Sequence, residues 1–398
     1  MKTIFYRINQ FLLKIASALV RWPVPILLED ENSVLKVPAI LTQKGIKKVL
    51  LVTDKTITNL GLTTPLLHAL SKDGIETVVF DETIPNPTID NVENALKIYQ
   101  SSQSGAIIAF GGGSSMDCAK GVGARAANPN KSIAQMRGLL KVSHSIPLLI
   151  AIPTTAGTGS ETTIAAVISN PETHEKYAIN DQKLVPAYAV LDPLLTVGLP
   201  PHITSTTGLD ALTHAVEAYI GRSNTPATRE AARVAVKLIF ENLYTAYSNG
   251  KVVEARANML KASFYAGIAF TRAYVGYVHA IAHTLGGYYS VPHGLANAVI
   301  LPVVLDYYGH AADKPLAELA DLIGITLPGE SQAAKAGKFI GKIRELEASM
   351  NIPVKIEGIK ESDLPAMIHN ALLEANPLYP VPRELFADDL RMLYDTIR

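Results

Sequence analysis

Five residues with metal-binding side chains lie in the second half of the chain, and four of them form two pairs at helical spacing. Asp210 and His214 stand four residues apart in GLDALTHAVEAY, and His279 and His283 repeat that spacing in VHAIAHTLGGYYSVPHG, which closes on His293 and a glycine. Residues four apart leave a helix from the same face, so the members of each pair can act on one ligand. A carboxylate with imidazoles suits Fe²⁺, Zn²⁺ or a similar divalent ion, and the spacing does not separate these metals.

The simpler alternative is that these histidines fill a core. A single pair at this spacing is more often structural than metal-binding, although each buried imidazole still needs a partner for both ring nitrogens. Two such pairs with a further histidine nearby favour the metal site. The stretch HAIAH is not the HExxH motif of a zinc protease, because the catalytic glutamate is absent.

A glycine turn in the first half of the chain could hold a phosphate. AIIAFGGGSSMDCAK (106–120) predicts a buried strand, a turn containing Gly112 and Gly113, and a helix that begins at Ser114 or the next serine. Glycines let the backbone approach an anion, and the N–H groups and dipole of a helix N-terminus attract one. The dinucleotide fingerprint would require glycine or alanine at Met116, so a tight turn with a serine N-cap remains the alternative.

A second loop of small residues follows the next predicted strand. IPTTAGTGSETT (152–163) offers a series of hydroxyl groups, and two such loops from one sheet can converge on one ligand. Asp54 ends the first long strand, where a carboxylate could accept hydrogen bonds from ribose hydroxyls and would repel a 2′-phosphate. On that argument NAD is favoured over NADP. The candidate hydroxyls include Thr154, Thr155, Thr158 and Thr163.

Short β-rich runs that end in polar residues or glycine organise this first half. They cover 48–54, 77–82, 105–114, 147–155 and 188–193, with segments of helical character between them. The repetition predicts βαβ units and a mostly parallel sheet, which places ligands at the carboxyl ends of its strands.

Long helical patterns organise the second half, after a linker-like segment at 195–208. They cover 209–220, 226–248, 252–270, 276–287 and 296–308, with several more near the C-terminus. We therefore expect an α/β dinucleotide-binding domain at 25–197 and a helical metal-binding domain at 198–398. The cleft between them is then the default ligand site.

Composition narrows the classes of partner and compartment. Lys plus Arg equals Asp plus Glu at 36 each, so no global field attracts nucleic acid. The single cysteine, Cys118, excludes an internal disulfide framework and any multi-cysteine metal site. A reducing compartment fits this usage, and we expect a cytoplasmic protein.

The first 24 residues (1–24) form an amphipathic extension with its own character. Basic residues occur throughout it without an acid before Glu29, and its apolar residues follow helical spacing. Charges interrupt every apolar run well short of a membrane span, and no cleavage site follows a clean apolar segment. We expect a helix that packs on the body of the protein or on a subunit partner, with membrane contact or a targeting role as the alternative.

Taken together, these motifs resemble the iron-containing (group III) alcohol dehydrogenases. The resemblance rests on GGGSSMDCAK, PTTAGTGSETT, GLDALTHAVEAY and HAIAHTLGGYYSVPHGLANAVILP in this order, with PNPT at 85–88 and LDP at 191–193. It runs from about residue 25 to the C-terminus. It implies a dehydroquinate synthase-like fold, in which an α/β dinucleotide domain and an all-α metal domain flank the active site.

The resemblance also implies roles for individual residues. The family's metal ligands fall on Asp210, His214, His279 and His293. His283 matches a histidine that lies beside the metal near the nicotinamide, and we hypothesise that it relays or positions a proton. The family's cofactor positions fall on Asp54, Asn86, Gly113, Ser114, Thr154, Thr158, Thr163 and, as a weaker match, Lys176.

The function implied is a metal-dependent alcohol dehydrogenase that transfers a hydride between NAD(H) and a small primary alcohol or aldehyde, as a homodimer or larger homo-oligomer. Fe²⁺ is expected, with Zn²⁺ as the alternative. A hydroxyacid-oxoacid transhydrogenase, a polyol dehydrogenase or a maleylacetate reductase on the same scaffold stays open. Outside the class, a metal hydrolase without nicotinamide and a non-catalytic nucleotide-binding protein remain. Phe270, Tyr274 and Tyr277 are candidate pocket walls, and structural packing explains them nearly as well.

Overall fold

The computed structural model describes residues 2–19, 22–171 and 175–398. The described chain divides into two compact units. One unit is Trp22–Gly198, and the other combines the N-terminal helix with Leu199–Arg398. The expected extension at 1–24 includes Met1, Val20 and Arg21, which lie outside the described residues.

Helix α1 (Lys2–Leu19) precedes an α/β unit. The elements of that unit, in chain order, are β1 (Ile26–Glu29), α2 (Val37–Gln43), β2 (Lys48–Val52), α3 (Lys55–Asn59), α4 (Thr64–Lys72), β3 (Glu76–Phe80), α5 (Ile89–Ser101), β4 (Ala106–Gly111), α6 (Gly113–Ala127), α7 (Ile133–Met136), β5 (Gly138–Leu139), β6 (Leu148–Pro153), β7 (Ala165–Ser169), β8 (Lys176–Asn180) and β9 (Tyr188–Leu191).

Six strands form the main sheet in the order β1-β9-β6-β4-β2-β3, and every pairing in it is parallel. All five predicted strands lie in this sheet, so the predicted parallel α/β unit is confirmed. β4 is buried along its whole length, as expected for an apolar run covered on both faces by helices. The sequence did not predict β1 or the small sheet β5-β8-β7, in which β5 has only two residues.

Helices alone follow in the described part of the second unit, which confirms the predicted helical half. They are α8 (Pro201–Ile220), α9 (Pro226–Ser248), α10 (Val253–Ala273), α11 (Tyr277–Tyr289), α12 (His293–Tyr308), α13 (Asp313–Leu322), α14 (Gln332–Ser349), α15 (Leu364–Ala375) and α16 (Ala387–Ile397). None of the described helices is long and apolar enough to cross a membrane.

The start of α8 differs from the prediction. Residues 201–208 were interpreted as linker because they are rich in proline and threonine, yet they form the first two turns of the helix. Pro201 occupies a first-turn position, where its fixed φ suits a helix and its missing N–H costs nothing. The hydroxyls of Thr206 and Thr207 donate to the carbonyls of His202 and Ile203, so these polar side chains are satisfied within the helix.

Two helices that carry predicted metal ligands approach each other closely at Gly294. A Cβ built on Gly294, at the start of α12, would lie 2.4 Å from the backbone oxygen of Thr206 in α8. Real Cβ contacts are never that short, and a backbone atom inside a helix cannot move aside as a side chain can. Glycine at 294 therefore sets the spacing between α8 and α12.

We predict that Gly294→Ala lowers the free energy of unfolding by about 1–3 kcal/mol, the usual cost of overpacking. The matched control is Gly337→Ala in α14, where a Cβ meets nothing within 4 Å. There the better helix propensity of alanine should stabilise the protein by up to about 1 kcal/mol. Urea unfolding followed by circular dichroism measures both variants, and a shift of both midpoints in the same direction would contradict the prediction.

Candidate functional site

Three of the predicted metal ligands converge from three helices. Asp210 comes from α8, His279 from α11 and His293 from the first residue of α12. Asp210 Oδ1 lies 3.5 Å from His293 Nε2 and 3.9 Å from His279 Nε2. Ligand atoms of the three residues all lie within 4.8 Å of one another, and Asp210 is 3% exposed.

The fourth predicted ligand, His214, lies at the border of this cluster. Its Nδ1 is 4.0 Å from Asp210 Oδ1, one helical turn away. Its ring is sandwiched between the rings of His279 and Phe270, at centroid distances of 4.5 and 4.0 Å. Phe270 therefore borders the cluster, whereas Tyr277 is fully buried and its hydroxyl donates to Asn376, which makes Tyr277 part of the packing.

A side-chain amide points into the space between the three ligands. Asn297 is fully buried in α12, and its Nδ2 lies 2.7 Å from Asp210 Oδ1, 3.1 Å from His293 Nε2 and 3.2 Å from His279 Nε2. An amide nitrogen has two hydrogens, so three acceptors compete for two N–H donors. Oxygen and imidazole acceptors that face one point fit a divalent cation, and the residues present therefore fit the expected metal.

Glu217 orients the His279 ring from behind. Its Oε2 lies 2.6 Å from His279 Nδ1, and its two oxygens accept hydrogen bonds from the backbone N–H groups of Gly276 and Val278. In its ionised form Glu217 keeps the proton on Nδ1 and leaves Nε2 as the acceptor that faces Asp210. A Cβ on Gly276 would lie 2.7 Å from Glu217 Oε1, so only glycine allows this arrangement.

Burial sets the protonation of this pair. Burial raises the pKa of Glu217 to about 8, against the hydrogen bonds that the carboxylate accepts from Gly276 and Val278. The pKa of His279 lies well below its ordinary value, first because the ring is buried and then because a charged ring would be repelled by His214 and His293. His279 is therefore neutral, which is the form that binds a metal ion.

His283 occupies a different environment from the ligand set. Its side chain is 44% exposed, and its Nδ1 lies 2.7 Å from Glu374 Oε1. The ring stacks on His293 with centroids 5.1 Å apart. Tyr379 donates its hydroxyl to the same Glu374 oxygen. His283 therefore lies beside the cluster, forms a hydrogen bond with Glu374, and leaves part of its ring exposed to solvent.

The two predicted nucleotide loops lie against each other in the α/β unit. Thr154 N donates to Gly111 O at the ends of the adjacent strands β6 and β4. A Cβ on Gly112 would meet Thr155 Oγ1 at 3.5 Å, and one on Gly113 would meet Thr158 Cγ2 at 3.0 Å. The contact at Gly112 is an ordinary one, whereas glycine at 113 lets the threonine loop pack tightly on the N-terminus of α6. That helix begins at Gly113, one residue earlier than predicted.

Asp54 borders the same turn. Its Oδ1 caps α3 by accepting from the N–H groups of Thr56 and Ile57. Its other oxygen lies 3.7 Å from the position of a Cβ on Gly111, whose φ of +147° favours glycine. The carboxylate is therefore held rigidly at the carboxyl end of β2, beside the end of β4.

Three further predicted cofactor residues form a chain of hydrogen bonds. Ser114 Oγ accepts from the backbone N–H of Asn86, and Lys176 Nζ donates to Asn86 Oδ1 at 2.9 Å. Asn86 itself has a φ of +55°, a conformation that asparagine tolerates better than most residues. The chain links the first turn of α6 to β8.

Thr163 faces the protein interior instead. Its hydroxyl accepts from Lys120 Nζ at 2.8 Å, and both residues are buried. Lys120 also donates to Ser160 and to the backbone oxygens of Thr163 and Ala165. Burial lowers the pKa of Lys120 to about 8, with the nearby Asp117 and Glu161 opposing that shift. Lys120 thus ties the threonine loop to α6.

Sequence reasoning missed three of these residues, although each stands in a motif already singled out. Asn297 lies four residues after His293, the same spacing that separates Asp210 from His214, and Glu217 lies one turn beyond His214. Lys120 ends GGGSSMDCAK. The spacing could have indicated Asn297, but the contact of Glu217 with His279 joins two helices, which no pattern within one helix reports.

Comparison with known proteins agrees with this geometry. The family model described as iron-containing alcohol dehydrogenase matches residues 25–193, and the model of the C-terminal part of the Fe-containing alcohol dehydrogenase family matches residues 204–397. The chain is 43% identical over 336 residues to 1,3-propanediol dehydrogenase of Klebsiella pneumoniae, which covers 83% of this chain and 87% of that protein.

Solved structures extend the similarity to the fold. The crystal structure of a 1,3-propanediol oxidoreductase matches with a TM-score of 0.92 and 38% identity, covering 96% of this chain and 100% of that one. Sulfoacetaldehyde reductase from Bifidobacterium kashiwanohense, in complex with NAD⁺, matches with a TM-score of 0.85 and 28% identity over 95% and 98% of the two chains. The chain is an oxidoreductase that belongs to the iron-containing alcohol dehydrogenase family.

Proposed function

We propose that this protein is an NAD-dependent alcohol dehydrogenase that uses a divalent metal ion, Fe²⁺ in the first instance and Zn²⁺ as the alternative, to interconvert small primary alcohols and aldehydes. The observation that carries the proposal is the convergence of Asp210, His279 and His293 on the amide nitrogen of Asn297. A buried carboxylate with neutral imidazoles is a donor set for such an ion.

Different residues of the chain have the roles of binding the metal ion, orienting a ligand and transferring a proton. Asp210, His214, His279 and His293 hold the ion, and Glu217 orients one of the rings. When bound, the ion lowers the pKa of the substrate hydroxyl or polarises an aldehyde, and the nicotinamide carries the hydride. His283 holds or moves a proton at its exposed edge while Glu374 steadies the opposite ring nitrogen.

NAD is the proposed nicotinamide. The N-terminus of α6, with Gly112, Gly113 and Ser114, suits a pyrophosphate, and Asp54 repels a 2′-phosphate. A relative of known structure was solved with NAD⁺. Thr154, Thr155, Thr158, Asn86 and Lys176 complete the proposed cofactor set, and Thr163 contributes by holding the loop through Lys120.

Small alcohols or aldehydes are the proposed substrates. The relatives named for 1,3-propanediol and sulfoacetaldehyde support this class, and the first of them favours a diol as a second candidate. Phe270 offers an apolar face beside the metal cluster. The alternative function of a metal hydrolase is not supported, because the family consists of oxidoreductases.

Three organisational proposals accompany this function. We retain the domain boundaries 1–24, 25–197 and 198–398, which the matched ranges of the two family models support. A cytoplasmic location is supported by the lone, buried Cys118. The expected homodimer or larger homo-oligomer stays a prediction.

The direct test combines elemental analysis of the purified protein with a screen of alcohols, diols and aldehydes against NADH and NADPH. We expect bound iron or zinc, and turnover with NADH above that with NADPH. Asp54→Asn keeps the N-cap of α3 but removes the charge, so it should raise the NADPH to NADH ratio of kcat/KM about tenfold. Asp73→Asn, at an exposed acid of the same unit, is the control. Faster turnover with NADPH in the wild type would contradict the role of Asp54.

We predict that two stacked histidines respond in opposite ways to substitution. His293→Gln should weaken metal binding by more than the roughly 10–100-fold typical of an outer-shell partner. His283→Gln should keep its metal, but lose about 10²–10⁴ in kcat and change the pH profile, as expected for a proton-transfer residue. Metal content after dialysis and kcat against pH measure both. Loss of metal from His283→Gln, or an unchanged pH profile in that variant, would show that His283 is not a proton-transfer residue separate from the metal ligands.

We predict that Glu217→Gln lowers metal affinity about 10–100-fold, because an amide cannot accept from Gly276, Val278 and His279 together. The matched control is Glu347→Gln in α14, at another buried glutamate whose pKa burial raises to about 8. Competition with a chelator measures the affinity of both variants. Equal loss in the two variants would indicate general destabilisation rather than positioning of His279.

A further inference from the structure

Helix α1 presents its apolar side to solvent and its polar side to the protein. Six large apolar residues of α1 lie on one face and are 44–66% exposed. They are Ile4, Phe5, Ile8, Phe11, Leu12 and Ile15. Isolated exposed apolar residues are ordinary, but a contiguous stripe along a whole helix indicates a surface that something covers.

The polar side of α1 is already occupied. Arg7 donates to the backbone oxygens of Val381 and Pro382 and forms an ion pair with Glu384. Gln10, which is buried, donates to Tyr379 O at 2.9 Å. These contacts hold the helix against the helical unit in one orientation, so the apolar stripe faces outward and cannot turn inward without breaking them.

Charge indicates what covers the stripe. The first 28 residues contain four basic residues and no acidic one, in a chain whose formal net charge is zero. Arg7 is already paired with Glu384, so among the described side chains the positive charge beside the stripe comes from Lys14 and from the exposed Arg222. Lys14 donates to the backbone oxygen of Arg222, so a further cation from the helical unit adjoins the helix. A self-complementary contact between two copies would bring equal positive charges together, which is unfavourable.

We propose that α1 binds the surface of an anionic lipid membrane, with its apolar stripe in the boundary between headgroups and acyl chains. An apolar face with aromatic and aliphatic residues, flanked by basic groups, is the pattern of a helix that lies in that boundary. The docked polar side of the helix attaches the whole enzyme to the membrane without any spanning segment.

Cosedimentation of the full-length protein with lipid vesicles tests this. The vesicles are phosphatidylcholine alone, or an equal mixture of phosphatidylcholine and phosphatidylglycerol. We expect binding to the mixed vesicles, weaker binding to the neutral ones, and release at high salt. The triple variant Ile8→Gln, Phe11→Gln, Leu12→Gln should reduce binding about tenfold or more.

The matched control replaces three exposed apolar residues elsewhere: Leu140→Gln, Val354→Gln and Leu373→Gln. It should bind vesicles as the wild type does, and both triple variants should keep the dehydrogenase activity of the wild type in solution. Absence of wild-type binding, or equal binding by the α1 variant, would overturn the proposal. Sedimentation velocity tests the remaining outcome. If the wild type does not bind vesicles, and is an oligomer that the α1 substitutions dissociate, then the stripe joins copies of the chain and the proposal is wrong.

Discussion

Burial of the Asp210 carboxylate constrains the helical unit more than any other single feature. A buried carboxylate without partners is strongly unfavourable, so donors or a cation must surround it. Asn297 supplies a donor from α12, and the histidines of α11 and α12 turn acceptor nitrogens toward the same point. The three acceptor atoms share the hydrogens of one amide, so they are incompletely satisfied. A divalent ion at that point would interact with all three more favourably than the amide does. The close approach of α8 and α12 at Gly294 serves this geometry.

A second buried charge organises the α/β unit, and this one is a cation. Lys120 is a fully buried ammonium whose hydrogen bonds run to the loop that follows β6 and to Ala165, the first residue of β7. Nearby Glu161 is buried and Asp117 is half-buried, and desolvation raises the pKa of Asp117 to about 6 and that of Glu161 to about 7. The loop is thereby held on α6 by interactions inside the protein, so its outer hydroxyls and the glycine turn remain available to a ligand.

Much of the fold was predictable because its signals are local. Apolar runs such as 105–114 mark strands buried on both faces, and long amphipathic patterns mark helices. Predictions failed where tertiary packing overrides a local preference. Residues 201–208 look like a linker because threonine and proline are poor helix formers, yet burial and hydrogen bonds to preceding carbonyls keep them in α8. β1 is only four residues long, and its pairing with β9 comes from distant parts of the chain.

By itself the sequence determined the types and order of the site residues, the parallel α/β unit, the helical unit and membership of the family. These follow from spacing within single elements and from motifs. Only the tertiary structure decided which side chains share a point: that the amide of Asn297 points among the predicted ligands, that His214 lies at their border, and that Glu217 holds His279. It also decided which side of α1 faces outward. Each of these depends on how helices distant in the chain pack together, and periodicity within one helix carries no information about its neighbour.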